Sequence, residues 1–494
     1  MRLSDFAAFL ATARLEGGDL RPVGLCADSR RVKPGDLFFC LPGHTVDGHD
    51  YAAEAVARGA AALVVERLLP LGVPQIVVKD SRMALAVMAD RFYGSPSARV
   101  KVIGVTGTNG KTTTTHLIES ILQEAGRTCG VIGTIEARFA GRSLPMSSTT
   151  PDCLELQRLL AGMAAEGTDY CAMEVSSHAL EQGRVKGVKF RTAIFTNLTQ
   201  DHLDYHGTME RYAAAKELLF SRLGNVYPAE PDERSYAVLN ADDPASAAFA
   251  RATAAETVTY GIDRPADVRA EDIRITARGT SFRAVTFRGE ADVALRLVGK
   301  FNVYNALAAI AAALLEDIPL EVVKAGLARV AGVPGRVEAV DAGQPFAVIV
   351  DYAHTPDGLE NVLRAVKEIA ERRLILVFGC GGDRDRGKRP IMGKIGARYA
   401  DYCILTSDNP RTEQPEAILD DIEAGLREDR VPPDRYERIA DRRAAIEKAV
   451  EMASPGDVVL IAGKGHETYQ IIGDRRIDFD DRLVAGEAIR RRRS

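Results

Sequence analysis

Short apolar, β-branched segments alternate with longer segments of helical periodicity along most of this chain. The segments that predict strands are Ala60–Val65, Gln75–Val78, Val100–Val105, Tyr170–Val175, Thr192–Thr196, Ala237–Asn240, Ala347–Asp351, Leu374–Phe378, Tyr402–Thr406 and Asp457–Ala462. Helices are predicted over Thr112–Ala125, Glu210–Arg222, Asn302–Leu315, Gly358–Ala370 and Asp441–Met452. Because parallel strands need crossover connections, this alternation predicts an α/β fold whose parallel sheets are covered by helices on both faces.

Two Gly/Pro-rich joints interrupt this pattern. Gly94–Ser97 precedes the strand predicted near residue 100, and Gly332–Gly335 separates a helical stretch from a new strand–helix series. A chain of 494 residues is long enough for roughly two to five domains. We therefore predict a smaller N-terminal α/β domain over residues 1–97, a central parallel-sheet domain over residues 98–333 and a C-terminal Rossmann-like domain over residues 334–494.

The charge balance and the cysteine pattern exclude several classes of protein. Lys and Arg number 64 and Asp and Glu 69, a formal net charge of −5 that gives no support to nucleic-acid or membrane-surface binding. The seven cysteines include no C-x-x-C pair, so reduced thiols are expected rather than a disulfide framework or a zinc module. The apolar run Asn302–Leu315 is short of the ~20 residues that span a bilayer, and Met1–Leu15 lacks a signal-peptide profile, so we expect a cytoplasmic protein. The basic run Arg490–Arg493 is expected to be a frayed, solvated end.

A glycine-rich loop lies between a predicted strand and a predicted helix. After Val102–Val105 the chain continues as Thr106–Thr113, TGTNGKTT, and then enters helical periodicity. In such a loop, backbone N–H groups and the helix N-terminus bind phosphate oxygens, Lys111 reaches the terminal phosphates, and the Thr112 hydroxyl can ligate magnesium. The strict G-x-x-x-x-G-K-[ST] spacing is not met, because Gly104 lies one residue too early. The alternative is a tight turn with a surface lysine, and the loop does not decide between ATP and GTP.

Polar residues follow two further predicted strands. Glu174 ends one of them, and His202 lies in the segment NLTQDHLDYHG that follows the next. Since parallel strands present their carboxyl ends to one crevice, these groups are expected beside the phosphate loop, where carboxylate, hydroxyl and phosphate oxygens suit magnesium. For His178 and His206, a role as hydrogen-bonded surface or turn histidines is favoured over direct metal ligation. Lys216, in an alanine-rich helix, is on spacing alone a solvated side chain.

Four polar loops follow predicted strands in the C-terminal part of the chain. They are Asp351–Pro356, Gly379–Arg386, Asp408–Arg411 and Gly463–Glu467. The second begins like a G-x-G-x-x-G dinucleotide fingerprint but does not complete it, so nicotinamide binding is not expected. Each loop alone is typical of a polar turn. The last three would share one end of the predicted sheet, and together they predict a ligand site.

The loop Thr106–Thr112 resembles the ATP loop of the Mur ligases, which build the peptide stem of bacterial peptidoglycan; the folylpolyglutamate synthases carry a related loop. The resemblance extends over nearly the whole chain, and Asp408–Arg411 is similar to the segment of diaminopimelate-adding members. It implies an ATP-dependent, amide-forming ligase that adds meso-diaminopimelate to UDP-N-acetylmuramoyl-L-alanyl-D-glutamate through an acyl-phosphate intermediate, in peptidoglycan precursor synthesis. It also implies Mg²⁺ as cofactor, ATP as co-substrate, and a monomer that neither binds nucleic acid nor inserts into membranes. The three domains would bind, in chain order, the UDP-linked substrate, ATP and the amino acid.

The resemblance also assigns roles to particular residues. The catalytic positions of the family match Lys111, Lys216, Glu174 and His202. The ATP-binding positions match Gly107, Thr108, Asn109, Gly110, Lys111, Thr112, Thr113, Asn305, Arg336, Asp351 and His354. Magnesium would be held by Thr112, Glu174 and His202, and Lys216, as a carbamate, would hold a second magnesium ion. The UDP-linked substrate would be held by Ser29, Thr149, Thr150, Ser176, Gln182 and Arg184, and the amino acid by Arg384, Asp408, Asn409, Pro410, Arg411, Gly463 and Glu467.

Two other classes of protein stay open. Another ligase of the same superfamily, such as a lysine-adding or folylpolyglutamate enzyme, would share the central loop, although the C-terminal loops argue against it. A phosphate-loop switch or motor would hydrolyse nucleotide without synthesis. Phosphate release that depends on both a UDP-muramoyl-dipeptide and an amino acid would distinguish a ligase from a switch. Without the resemblance, Ser29 would be only a possible turn or cap residue.

Overall fold

The computed structural model describes residues 1–43, 46–276 and 279–493. The chain divides into two compact units, the first formed by Met1–Gly104 and Thr128–Thr192 and the second by Val105–Arg127 and Ala193–Ser494. This division differs from the predicted domains, whose boundaries at residues 97 and 333 stay predictions.

Helices and strands alternate along both units. The helices are α1 (Leu3–Ala8), α2 (Ala52–Ala57), α3 (Ser81–Phe92), α4 (Lys111–Glu124), α5 (Cys153–Ala165), α6 (Ser177–Glu181), α7 (Leu203–His206), α8 (Met209–Ser221), α9 (Ser246–Ala252), α10 (Lys300–Leu314), α11 (Leu320–Arg329), α12 (Pro356–Ile369), α13 (Lys388–Tyr399), α14 (Pro415–Glu428), α15 (Arg442–Met452) and α16 (Asp481–Arg493). The strands are β1 (Arg14–Glu16), β2 (Gly24–Cys26), β3 (Asp36–Phe39), β4 (Ala62–Val65), β5 (Gln75–Val77), β6 (Lys101–Thr106), β7 (Cys129–Ile132), β8 (Glu136–Phe139), β9 (Arg142–Pro145), β10 (Tyr170–Glu174), β11 (Phe190–Phe195), β12 (Tyr236–Asn240), β13 (Glu256–Gly261), β14 (Val268–Thr276), β15 (Gly279–Thr286), β16 (Gly289–Leu295), β17 (Glu338–Ala339), β18 (Ala347–Asp351), β19 (Leu374–Phe378), β20 (Tyr402–Leu405), β21 (Tyr436–Arg438), β22 (Val458–Ala462), β23 (Tyr469–Ile472) and β24 (Arg475–Asp478).

The first unit contains a five-stranded sheet in the order β1-β5-β4-β3-β2. Strands β2 to β5 pair in parallel, and β1 pairs antiparallel with β5 at the edge. Residues 62–65 of β4 are all fully buried, because a parallel strand packs side chains on both faces of its sheet. In the same unit β10 pairs in parallel with β7, and β7, β8 and β9 form antiparallel pairs.

The second unit contains a six-stranded sheet in the order β17-β18-β22-β19-β20-β21. All its neighbouring pairs are parallel except β17 with β18. The carboxyl ends of β18, β19, β20 and β22 therefore lie at one edge, which is where the four predicted C-terminal loops begin. Helix α10 is buried along nearly its whole length, so the apolar run near residue 302 is a core helix.

The ten predicted strands and five predicted helices each overlap an observed element, and the predicted α/β fold class is confirmed. The antiparallel ribbon β14-β15-β16 pairs through β14 with β13 and was not predicted from the sequence. The expectation of a frayed end at residues 490–493 is wrong, because that run belongs to α16 and the Arg491 guanidinium lies 2.8 Å from the Glu447 carboxylate. Over the described ranges, no helix has both the length and the apolar character needed to cross a bilayer.

Candidate active site

The phosphate loop is tightly fixed between β6 and α4. Gly107 (φ 148°) and Gly110 (φ 89°) adopt backbone conformations that L side chains rarely take. A Cβ at Gly107 would lie 1.8 Å from Thr196 Oγ1, and one at Gly110 would lie 2.4 Å from Asn305 Oδ1. The loop therefore requires glycine at both positions.

Hydrogen bonds between the phosphate loop and the residues that end and follow β11 fix the conformation of the loop. The Thr108 N–H donates to the Asn197 carbonyl at 2.8 Å, the Asn109 N–H donates to Asn197 Oδ1 at 2.9 Å, and Thr196 Oγ1 donates to the Asn109 carbonyl at 2.6 Å. Lys111 Nζ donates to the Gly107 and Thr108 carbonyls, each at 2.9 Å. Asn197 was not predicted as a site residue, although it lies in the segment that the sequence analysis singled out.

A cavity of about 360 Å³ opens against this loop, a volume typical of small-ligand sites. Seven of the predicted ATP-binding residues line it, namely Asn109, Gly110, Thr112, Thr113, Asn305, Arg336 and Asp351. Phe301, Tyr304 and Asp357 also line it and were not predicted. The cavity therefore brings together residues on both sides of the Gly332–Gly335 joint.

Direct contacts cross that joint. Asn109 Nδ2 donates to Asp357 Oδ2 at 2.7 Å, and Arg336 Nη2 donates to Thr112 Oγ1 at 3.1 Å. The Arg336 guanidinium also lies 4.6 Å from the centroid of the Tyr352 ring. The phosphate loop thus contacts the segments that flank β18.

The buried carboxyl of Asp351 fixes the backbone at the end of β18. Its oxygens accept from the Ala353 N–H at 2.7 Å and the Val337 N–H at 2.8 Å. Burial raises the pKa of this carboxyl, while the nearby Arg336 charge and these hydrogen bonds oppose the rise. Asp351 therefore acts on the cavity partly by positioning the chain around Arg336.

Lys216 is a buried lysine, with 1% of its surface exposed. Its Nζ donates to the Gly107 carbonyl at 2.8 Å and lies 4.4 Å from the centroid of the Tyr212 ring. Burial and the positive charge of Lys111 lower the pKa of this amine well below its usual value, against the opposing effect of Asp201. The interpretation of Lys216 as a solvated helical side chain is therefore wrong.

Asp201 is a buried carboxylate surrounded by three basic side chains. Its oxygens lie 3.5 Å from Lys388 Nζ, 3.3 Å from His202 Nε2 and 3.8 Å from His354 Nε2. Burial would raise the pKa of Asp201, but these neighbours outweigh it and the pKa is lowered. Burial and the Lys388 charge lower the pKa of His354 to about 4, so its imidazole is neutral near pH 7. Both histidines were predicted as site residues from the sequence, whereas Asp201 and Lys388 were not.

The two other histidines of this region differ from each other. His206 is buried, with 2% of its surface exposed and its ring 5.2 Å from that of Tyr212, so a surface position is wrong for it. His178 lies in α6 and is half-buried.

The residues at the phosphate loop fit a magnesium ion bound together with nucleotide. Within the described part of the chain, no cluster of three or more His, Cys, Asp or Glu side chains is arranged to hold a metal ion. Magnesium bound with nucleotide usually takes phosphate oxygens and waters with only one or two protein ligands. The buried Thr112 hydroxyl can serve as one of these protein ligands, because its oxygen is of the hard kind that magnesium prefers.

The predicted substrate residues of the first unit form a hydrogen-bonded group. Thr150 Oγ1 donates to the Glu174 carbonyl at 2.9 Å and accepts from the Ser176 N–H at 3.0 Å. Arg184 Nη1 donates to the Thr150 carbonyl at 3.0 Å, and its Nε donates to Gln182 Oε1 at 2.9 Å. Gln182 and Arg184 line a cavity of about 420 Å³. Polar side chains of this group therefore line a space large enough for a polar ligand.

Two further substrate candidates lie elsewhere in the first unit. Thr149 Oγ1 lies 3.1 Å from Thr134 Oγ1, and Thr134 donates through its N–H and its hydroxyl to the Glu174 carboxylate at 2.9 Å each. Ser29 lies in a 3₁₀ turn, and its hydroxyl donates to Glu54 Oε2 at 3.4 Å.

The predicted amino-acid residues come together at the edge of the six-stranded sheet. Asn409 Nδ2 donates to Glu467 Oε2 at 2.9 Å, and Arg411 Nη1 donates to the Gly382 carbonyl at 2.8 Å. A Cβ at Gly463 (φ 117°) would lie 2.6 Å from Asp408 Oδ2.

The two arginines of this group differ in burial. Arg384 is exposed, and its Nη1 donates to the Asp383 carbonyl at 2.8 Å. Burial and the Arg384 charge lower the pKa of Arg411. Pro410 packs closely on Gly382, where a Cβ would lie 1.8 Å from the Pro410 carbonyl oxygen. The three loops thus form one polar group, although the sequence analysis missed its buried cation, Lys464.

Three domain descriptions of one protein family match this chain. They are the Mur ligase middle domain over residues 105–313, the Mur ligase, glutamate ligase domain over residues 335–465, and the Mur ligase family, catalytic domain over residues 23–93.

Similar proteins match over almost the full length. A UDP-N-acetylmuramoyl-L-alanyl-D-glutamate--2,6-diaminopimelate ligase of Geobacillus kaustophilus is 56% identical over 478 residues, which cover 96% of each chain. The protein of the same name in Geobacillus thermodenitrificans is 55% identical and covers 97% of this chain and 96% of its own. A solved structure of a ligase with that name is 36% identical, with a TM-score of 0.67 and 96% of both chains covered.

Proposed function

The chain belongs to the Mur ligase family, and we propose that it is an ATP-dependent ligase that adds meso-diaminopimelate to UDP-N-acetylmuramoyl-L-alanyl-D-glutamate. The observation that carries the proposal is the near full-length likeness to ligases of that name. The geometry supports it, because one unit holds both a phosphate-loop cavity and the polar group that matches the family's amino-acid positions.

The proposed reaction has two steps. An oxygen of the D-glutamate side-chain carboxylate attacks the γ-phosphorus of ATP; the new P–O bond forms as the bond to the bridging oxygen breaks, and ADP leaves. The amine nitrogen of diaminopimelate then attacks the acyl carbon, and phosphate departs with the bonding electron pair as the amine loses a proton. Two anions meet in the first step, so positive charge at the site lowers the barrier.

The phosphate loop supplies part of that charge. The Lys111 ammonium, which contacts the loop carbonyls, would bind the terminal phosphates, and the N-terminus of α4 points its N–H groups toward them. Magnesium would supply the remaining positive charge: Thr112, Glu174 and His202 are the proposed ligands at the phosphate loop, and carbamylated Lys216 would hold a second ion.

Burial favours carbamylation of Lys216. Burial and the Lys111 charge lower the pKa of this amine, which favours the neutral form, and a neutral amine can attack carbon dioxide. A new N–C bond forms, a proton leaves the nitrogen, and the product is an extended carboxylate. The environment of this lysine and the likeness to the family both support the proposed role of a metal-binding anion.

The remaining residues would bind the two organic substrates. In the first unit, the Thr150, Ser176, Gln182 and Arg184 group would hold the muramoyl-peptide, and Ser29 the uridine end. At the edge of the six-stranded sheet, guanidinium groups would pair with the distal carboxylate of diaminopimelate, while Asp408, Asn409 and Glu467 would receive its ammonium. We also propose three domains at residues 1–97, 98–333 and 334–494, a monomer, and action in the cytoplasm, where ATP is available.

Release of inorganic phosphate and ADP tests this function. The purified protein with ATP and Mg²⁺ should release phosphate only when both the UDP-muramoyl-dipeptide and meso-diaminopimelate are present, and mass spectrometry should detect the UDP-tripeptide. Phosphate release that needs neither substrate would instead indicate a phosphate-loop switch. Equal turnover with lysine would indicate a different ligase of the family.

A further inference from the structure

Lys464 is a fully buried lysine in the loop that follows β22, with 0% of its surface exposed. Its Nζ donates to Glu467 Oε2 at 2.7 Å and to Asn409 Oδ1 at 3.2 Å, and it lies 5.4 Å from the centroid of the Tyr469 ring. Asn409 Nδ2 donates to the same carboxylate oxygen at 2.9 Å. One oxygen of Glu467 is thus fixed by donors from two loops.

The ion pair between Lys464 and Glu467 reduces the negative charge that Glu467 presents to a bound molecule. Burying an ammonium is costly unless a carboxylate compensates it, so Lys464 and Glu467 stabilise each other's charge. The amide of Asn409 accepts from the ammonium and donates to the carboxylate, which locks its orientation. A substrate ammonium that approaches Glu467 must therefore share a carboxylate that a protein cation already neutralises.

Lys464 balances the charges of this polar group. Arg384, Arg411 and Lys464 are cations, and the acidic side chains whose charges act on Arg411 are Asp383, Asp408 and Glu467. The formal sum over these six side chains is zero, and it would be one negative charge without Lys464.

We propose, on the basis of the proposed function, that Lys464 is a positioning residue that sets amino-acid selectivity. It holds Glu467 and Asn409 in place and keeps the pocket one charge more positive. An amino acid whose side chain ends in a lone ammonium is therefore disfavoured against one whose side chain ends in an ammonium and a carboxylate. A unit charge acting across a partly buried pocket changes affinity by about tenfold.

Three substitutions separate the charge of Lys464 from its packing. Lys464→Met removes the charge at similar volume, Lys464→Gln keeps a hydrogen-bond donor for Glu467 without the charge, and Lys464→Arg keeps the charge. For each variant and for the unmodified protein, kcat and KM are measured with meso-diaminopimelate and with L-lysine, at saturating ATP and UDP-muramoyl-dipeptide. ATP binding by calorimetry, at the separate phosphate-loop cavity, shows whether each variant is folded.

We expect both neutral variants to lower the ratio of kcat/KM for diaminopimelate over lysine by about tenfold, mainly through the two KM values. Lys464→Arg should stay within about threefold of the unmodified ratio. An unchanged ratio in the folded Gln variant, even with lower activity, would overturn the inference and leave Lys464 a structural residue. If neither neutral variant binds ATP, the test rests on Lys464→Arg. Loss of its preference for diaminopimelate over lysine, measured as the ratio of kcat/KM values, would then overturn the inference.

Failure of the proposed function gives a different result. An unmodified protein that turns over neither amino acid, or that releases phosphate without them, refutes both proposals. An active, diaminopimelate-selective ligase whose neutral Lys464 variants keep that selectivity refutes only the role of Lys464.

Discussion

Replacement of Lys216 by alanine tests the proposed carbamate most directly. The substitution removes a buried side chain whose Nζ lies 2.8 Å from the Gly107 carbonyl and 4.4 Å from the Tyr212 ring centroid. Loss of one preorganised electrostatic group at a reacting centre typically lowers kcat by about 10²- to 10³-fold, which corresponds to about 2.7–4 kcal/mol. We therefore expect a kcat loss of that order, while ATP still binds, because Lys216 does not line the phosphate-loop cavity in which we propose that ATP binds.

The substitution should lower the free energy of unfolding by less than the usual cost of a buried cavity. Truncation of a large buried side chain creates a cavity and costs about 2–5 kcal/mol, but the same change removes a buried amine whose desolvation opposes folding. The two contributions have opposite signs, so the free energy of unfolding should fall by less than the cavity alone would cost. Thermal unfolding and ATP calorimetry of the variant measure this directly.

Formate distinguishes a lost anion from a lost packing contact. A small carboxylate at high concentration should enter the space left by the side chain and restore part of the phosphate release. Lys448→Ala, at an exposed position of α15, is the matched control and should be unaffected by formate. Full activity of Lys216→Ala, or no recovery with formate in a folded variant that still binds ATP, would refute the carbamate.

Three further predictions follow from contacts at the two ends of the site. Asp357→Ala removes the 2.7 Å hydrogen bond from Asn109 and should raise the KM for ATP by about tenfold. Asp434→Ala, at an exposed position, is the control and should leave this KM unchanged. Initial rates measure both values, and an unchanged KM in Asp357→Ala would contradict the prediction. Arg411→Ala should lose most of the preference for meso-diaminopimelate because that substrate binds more weakly, while lysine use stays poor; a variant with the original ratio of kcat/KM values would show that Arg411 does not recognise the distal carboxylate. The His354 ring should titrate near pH 4 by NMR, and Lys388→Met should raise this pKa because a nearby positive charge is removed; a fall would contradict the assignment. Since the folded pKa lies below the unfolded value of about 6.5, His354 should contribute to a loss of folding stability as the pH falls from about 6.5 towards 4.

The phosphate loop could be predicted because its constraints are local in sequence. A strand that ends at Thr106, glycines at 107 and 110 and a Lys-Thr pair at the helix start are all visible in one short segment. The C-terminal loops were predictable for a related reason, since parallel strands place the residues that follow them at one edge of the sheet.

The ribbon β14-β15-β16 was missed although its sequence carries a signal. In β16 the residues Ala291, Val293 and Leu295 are buried while their neighbours are exposed, which is the period of two expected of a strand with one solvated face. The exposed positions are rich in charged residues, so the segment lacks the continuous apolar run by which the parallel strands were found.

Long-range packing decides which charged side chains are buried, and the sequence does not show it. Asp201 and Lys388 are 187 residues apart and meet only in the folded chain, so neither segment indicates the pairing. For the same reason, the three loops proposed to bind the amino acid were found from the sequence, but the burial of Lys464 within them was not.

Lys216 and Lys464 show why burial alone does not define a role. In the sequence both are ordinary lysines, and in the structure both are buried. Lys464 contacts a carboxylate three residues away in the chain, which fits its proposed role of positioning Glu467. Lys216 contacts a carbonyl and an aromatic ring and lies near the cation Lys111, and its lowered pKa fits the proposed role of a nucleophile toward carbon dioxide. The neighbours of a buried lysine, which sequence spacing does not give, therefore decide between a fixed charge and a reactive amine.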